Sequence, residues 1–143
     1  VNVATYEDFV PREQPDIHFE TKVASINDWE AISSDILKLE KDTFSVTSDS
    51  TETLRREFTN ENNIAIIAQD ESGKVIGYTL GLDQGEEKIE GVVGRKLYIT
   101  STAVDYDLFS SGVNSRMQEL MNAEIKKSKK LQEELDRIFE VDK

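Results

Sequence analysis

The residues best suited to chemistry lie in one stretch, Thr102-Ala103-Val104-Asp105-Tyr106-Asp107-Leu108-Phe109-Ser110-Ser111-Gly112-Val113-Asn114-Ser115. Leu97 to Val104 is rich in β-branched residues and reads as a strand, and a turn of small and polar residues follows it. From Gly112 onward, Val113, Met117, Leu120, Met121 and Ile125 mark one face of an amphipathic helix that continues through Leu131. The first N–H groups of a helix have no intrahelical partner, and the helix dipole places partial positive charge there. Such an end binds an anion such as a pyrophosphate. Ser110, Ser111 and Gly112 have little bulk to keep a phosphate from the main chain, and Ser115 adds a hydroxyl donor. The dipole contributes only about 0.3–1 kcal/mol per exposed anionic group. Most of the binding must therefore come from the hydrogen bonds and from the rest of the ligand. On these residues alone, Ser-Ser-Gly before a helix is more often an ordinary cap than a phosphate cradle.

Composition narrows what such a turn could serve. The 143 residues are one domain's worth, with 29 Asp+Glu against 17 Lys+Arg and a net charge of −12. That excess of acid argues against a nucleic-acid partner, because phosphates are repelled at long range. The absence of Cys excludes disulfides, thiolate metal sites and a cysteine nucleophile, and the single His18 excludes a multi-histidine metal centre. No metal is expected. No apolar run approaches the roughly 20 residues that span a bilayer, and no leader is recognisable at the start. The expectation is an acidic cytoplasmic domain without membrane contact.

The elements that position the stretch follow from periodicity. Residues 1–16, with Pro11 and Pro15 among acids, read as an irregular lead-in to a domain over 17–143. Ile17, Phe19, Thr21 and Val23 alternate with polar residues as in a short half-buried strand, or else form an extended surface arm. Asn27 and Glu30 have capping-box spacing, and Trp29, Ile32, Ile36 and Leu39 then form one stripe on a helix to about Lys41. A second helix starts near Ser50 and buries Leu54 and Phe58. Ile64–Ala68 and Val75–Leu80, around a turn with Gly73, predict a β-hairpin. Asp83–Arg95 is polar, holds three glycines and reads as a mobile loop. Arg137–Val141 alternates and reads as a last strand.

Here the chain resembles the GNAT N-acetyltransferase superfamily. That family's pattern is a strand ending in a small or apolar residue then Ala-Val, five spacers, Gln/Arg-x-x-Gly-x-Gly/Ala, and an amphipathic helix. Thr102-Ala103-Val104 falls on its first part, and Phe109 to Asn114 fall on its second without a gap. The upstream order of strand, two helices and hairpin, with Gly77 in the return strand, is also similar. The resemblance implies an α/β (α+β) fold with a mixed, mostly antiparallel central sheet flanked by helices. A parallel pair, Leu97–Val104 and Ile138–Val141, would splay apart at the cofactor site. Acetyl-CoA would be the co-substrate: the main chain of Thr102, Ala103 and Val104 pairs with its pantetheine arm. The amides of Ser110, Ser111, Gly112, Val113, Asn114 and Ser115 hold its diphosphate. Two residues depart from the pattern. Phe109 stands where Gln or Arg is usual, and Asn114 where Gly or Ala is usual, which either crowds the diphosphate or adds an amide donor.

The implied activity is transfer of an acetyl group to a primary amine of a small molecule or protein. The alternative is a catalytically silent module that binds acyl-CoA or a protein partner. A lysine-like amine has a pKa near 10.4, so holding it neutral at pH 7 costs about 4.6 kcal/mol. Without cysteine, direct attack in a ternary complex is the consistent mechanism. Relatives often carry a glutamate on the cofactor strand where Tyr98 stands here, and a phenol could orient a water instead. Asp83, Glu86, Glu87 and Glu90 are either replacement bases, Glu90 foremost, or solvated acids. The family's usual tyrosine acid lies on a helix about where this sequence stops at Lys143, so the domain is expected to lack its last helix and strands. Either that arm has been cut from the sequence given, or another chain supplies the acid, or the domain is silent. Lys126, Lys127, Lys129 and Lys130 read as a solvated helix face rather than a site for the 3′-phosphate of CoA. A cationic acceptor suits the negative field, and a homodimer is compatible with these features.

Overall fold

A computed structural model describes residues 17–45, 50–109 and 111–141. The lead-in expected for 1–16 and Ser110 of the turn lie outside the described residues.

The apolar stripe of the first helix is realised as α1, Trp29–Phe44, which buries Trp29, Ile32, Ile36 and Leu39. Its start differs from the expected Asn27–Glu30 box. A 3-10 turn at Ile26–Asp28 precedes it, and the Ser25 N–H and hydroxyl donate to Asp28 Oδ2 at 2.8 and 3.0 Å. Ser25-x-x-Asp28 has the same spacing two residues earlier, and it takes up the donors at the true entry. The bond from the Ser25 N–H is the main reason that the Asp28 carboxyl titrates below its ordinary value. α2, Thr51–Thr59, starts as expected at Ser50, whose Oγ accepts from the Thr53 N–H at 3.2 Å, and it buries Leu54 and Phe58.

Four strands, β1 (Phe19–Val23), β2 (Ile64–Asp70), β3 (Val75–Ile89) and β4 (Val92–Val104), form one sheet in the order β1-β2-β3-β4. Every pairing is antiparallel. α1 and α2 cover one face, where Trp29, Ile36, Leu54 and Phe58 meet Ile67, Tyr78, Leu80 and Ala103. α3, Val113–Val141, covers the other, where Val113, Met117 and Met121 meet Ile66, Ala68 and Ile76. The expected sheet flanked by helices is therefore present. No described helix is long and apolar enough to cross a membrane.

Two expectations are overturned. The loop expected over Asp83–Arg95 is strand: β3 and β4 continue as a long hairpin that turns at Glu90-Gly91, with φ of 50° and 83°. Two successive positive φ values make a two-residue turn whose twist matches its strands, and Gly91 supplies the freer position. Gly85, at φ 85°, sits where the pairing shifts between Asp83 and Glu86, as a bulge glycine does. The strand expected at Arg137–Val141 is instead the end of α3. No Gly or Pro interrupts 113–141, and Leu131, Leu135 and Ile138 keep helical spacing, so nothing stops the helix. The parallel, splayed partner of β4 is consequently not formed by this segment. Among the described residues the outer edge of β4 is unpaired.

Candidate functional site

Beside that free edge lies a groove of about 360 Å³, lined by Thr43 of α1, Thr102, Ala103 and Val104 of β4, Leu108 and Phe109 of the turn, and Gly112 to Ser115. It gathers the cofactor candidates Thr102, Ala103, Val104, Gly112, Val113, Asn114 and Ser115 around one space. On one side is a strand edge with unpaired N–H and C=O groups, and on the other the start of α3.

Among the described residues, the turn between them leaves the helix start bare. The Asp105 N–H anchors to Ile76 O at 2.8 Å, and Asp105 Oδ1 accepts from the Asp107 N–H at 3.1 Å. The N–H groups of Leu108, Phe109 and Ser111 are then spent on the carbonyls of Asp105, Tyr106 and Leu108, at 2.9, 3.4 and 3.2 Å. The Ser111 hydroxyl also donates to Leu108 O. Ser111, expected among the phosphate donors, thus directs its bonds inward, because a 3-10 turn at Tyr106–Leu108 satisfies itself first. The first intrahelical bond of α3 runs from the Arg116 N–H to Gly112 O at 3.1 Å. The amides of Val113, Asn114 and Ser115 precede it, and Gly112 at the N-cap has no side chain with which to cap them. Gly112 also has φ +88°, a conformation that L side chains rarely adopt.

Neither departure from the family pattern closes the groove. The Phe109 ring is 51% exposed and lies 5.1 Å from the Tyr106 ring, two aromatic side chains together at the rim. Asn114 is exposed on the first turn of α3.

The catalytic candidates fare differently. Glu90 sits at the hairpin tip, and the run from Val92 to Thr102 puts it on the order of 30 Å away at ~3.3 Å per residue. It is not brought to the groove. Tyr98, 57% exposed, lies on β4 itself, opposite Leu82. It does not line the groove: between Tyr98 and Thr102, pairing passes from Gly81↔Ile99 to Leu80↔Ser101, leaving Thr100 as the extra residue of a bulge.

Sequence reasoning missed several groups here. Glu40 is 3% exposed on the apolar face of α1 and accepts the hydroxyl proton of Tyr78, whose register partner is Ala103. Thr79 is fully buried opposite Thr102. Gln118, one turn beyond Asn114 on α3, reaches both Thr79 and Asn114. A polar residue within an apolar stripe was the one available signal, and only Glu40 gave it. Among the described residues, no group of three or more His, Cys, Asp or Glu side chains is placed to hold a metal ion. On the expected solvated face of α3, Lys127 pairs with Glu124 at 3.0 Å, while the side chains of Lys129 and Lys130 lie outside the described residues.

No family model and no curated protein matches the chain. Solved structures do. An aminoglycoside acetyltransferase from an uncultured soil metagenomic sample, in complex with sisomicin, is 17% identical with a TM-score of 0.63, over 77% of this chain and 71% of that one. A GNAT family acetyltransferase from Staphylococcus aureus is 13% identical with a TM-score of 0.59, over 76% and 78%. A ribosomal-protein-alanine N-acetyltransferase from Brucella melitensis is 12% identical with a TM-score of 0.58, over 77% and 73%. With its sheet order, its helices on both faces and these likenesses, the chain has the fold of the GNAT acetyltransferase superfamily.

Proposed function

We propose that the chain is an N-acetyltransferase that takes acetyl-CoA as co-substrate in the groove beside β4. The observation that carries this reading is the meeting, across one groove, of a strand edge and a helix start that no described residue pairs or caps. With the Asp105 N–H bonded to Ile76 O, the antiparallel register turns the N–H and C=O of Ala103 toward Tyr78, contrary to the expectation for its main chain. Those of Thr102 and Val104 are left on the outer edge as donors and acceptors for the amides of a pantetheine arm, as an added strand would use them. The amides of Val113, Asn114 and Ser115 offer donors and positive dipole to a diphosphate, and Gly112 keeps the approach open.

Acetyl-CoA supplies the activated acyl group, and the protein's part is to orient it and polarise its carbonyl. Unpaired N–H groups of the β4 edge are fixed donors of the kind that stabilise a developing oxyanion. The amine nitrogen attacks the carbonyl carbon; a C–N bond forms, the C–S bond breaks, the nitrogen gives up a proton and the thiolate takes one. Tyr98 is the residue suited to orienting the water that carries the amine's proton. The acceptor is a primary amine, cationic in solution and drawn in by the net charge of −12.

Free-thiol release from acetyl-CoA, followed against a panel of diamines, aminoglycosides and peptide α-amines, tests the reading. Release that depends on one amine class is expected. Absence of release with every amine, from a chain that binds acetyl-CoA, would reduce the protein to a binding module.

A further inference from the structure

The two polar walls of the groove are joined by a run of side-chain hydrogen bonds that starts at a buried hydroxyl and ends at an exposed amide. Thr79 on β3 is fully buried, and its Oγ1 lies 2.8 Å from Thr102 Oγ1 on β4. Gln118 Nε2 on α3 lies 3.3 Å from Thr79 Oγ1 and 3.3 Å from Asn114 Oδ1. An amide nitrogen has two hydrogens and accepts nothing, so Gln118 donates to both. Thr79 therefore accepts from Gln118, and for its own single, buried proton Thr102 Oγ1 is the one acceptor in reach among the described residues, which sets the direction of that bond. With that lone pair filled from below, the proton of Thr102 turns outward. Asn114, with Oδ1 occupied, likewise turns its Nδ2 hydrogens outward. Both residues line the groove.

We propose that Gln118 and Thr79 are positioning residues that set the hydrogen-bond polarity of this groove, so that Thr102 and Asn114 meet its occupant as donors. The occupant then presents acceptor oxygens on both walls, as the carbonyl and phosphate groups of an acyl-CoA do. A cationic or donor-rich ligand is disfavoured in the same place. The inference rests on the acyl-CoA reading above, and it gives Asn114 a role where the family pattern has Gly or Ala.

The test is acetyl-CoA affinity by calorimetry for the wild-type chain, Thr79→Val, Gln118→Met and Thr79→Ser, with thermal unfolding of each. Valine keeps the shape of threonine without the hydroxyl. Gln118 is only partly buried, so its methionine variant provides a second route should Thr79→Val not fold. Each of these two is expected to weaken acetyl-CoA binding about fivefold to tenfold, the loss of one or two oriented hydrogen bonds. Thr79→Ser, which keeps the hydroxyl, restores wild-type affinity. If folded Thr79→Val and Gln118→Met bind as the wild type does, the relay has no such role, while the acyl-CoA reading stands. If the wild-type chain itself does not bind, the acyl-CoA reading fails and this inference with it.

Discussion

The two faces of the sheet are packed with different materials. On the face covered by α1 and α2 runs an aromatic series, Trp29 of α1, Phe58 of α2 and Tyr78 of β3, with ring centroids 5.3 and 5.7 Å apart, among fully buried Ile36, Leu54 and Leu80. On the other face, beside Ile66 and Ile76, Gly77 and Thr79 of β3 meet α3 and its Met117 and Met121. A Cβ on Gly77 would come within 3.0 Å of Val113 Cγ1 and 3.3 Å of Ala103 O, so the missing side chain is what lets α3 approach β3 and β4. Large rigid groups on one face supply area and fixed geometry. Small, flexible and polar groups on the other set where a helix start stands relative to a strand edge. The first face holds the domain together, and the second shapes the groove.

That contrast can be broken by substitution on each face. Phe58→Ala is expected to cost about 3–5 kcal/mol in denaturant unfolding, since a large ring leaves a cavity. The folded fraction should keep its acetyl-CoA affinity within about twofold; a marked loss would mean that the faces are not separable. Gly77→Val should cost less, about 1–3 kcal/mol of overpacking strain. It should nevertheless lower acetyl-CoA affinity at least about tenfold, because it lifts the start of α3 away from β4. Equal affinity in Gly77→Val would show that the helix position does not matter. The smallest effect belongs to Asp28, far from the groove. Its folded-state pKa is depressed, so its contribution is present above the unfolded value of about 3.9 and is lost as pH falls through the folded value. Asp28→Asn should flatten the acid limb of the stability–pH curve and leave ligand binding alone.

The helical stripes and the β2–β3 hairpin were legible because burial imprints a period on the sequence. Ile32, Ile36 and Leu39, or Leu54 and Phe58, could fit few other arrangements. The outer β3–β4 hairpin carries no such imprint: cross-strand backbone bonds hold it, and Gly85 and Gly91, which shape it, read as loop residues. Arg137–Val141 satisfies two periods at once, and only the uninterrupted helix before it decides between them. The strand–turn–helix spacing was enough to place Thr102 to Val104 and Gly112 to Ser115 at one groove. It could not reveal that Ser111 spends its bonds on Leu108, since that depends on how tightly the turn closes. The bond from Gln118 to Thr79 spans 39 residues and joins two unremarkable polar side chains, so no local pattern points to it.

The most direct measurement is calorimetric titration of acetyl-CoA into the wild-type chain beside Gly112→Val. Valine at φ +88° is strained by about 1–2 kcal/mol and brings bulk to the bare helix start. Saturable one-to-one binding by the wild type, lost in a variant that still unfolds cooperatively, is the expected result. Absence of binding by the wild type, or the same affinity in both, would contradict the assignment of this groove to a diphosphate-bearing ligand.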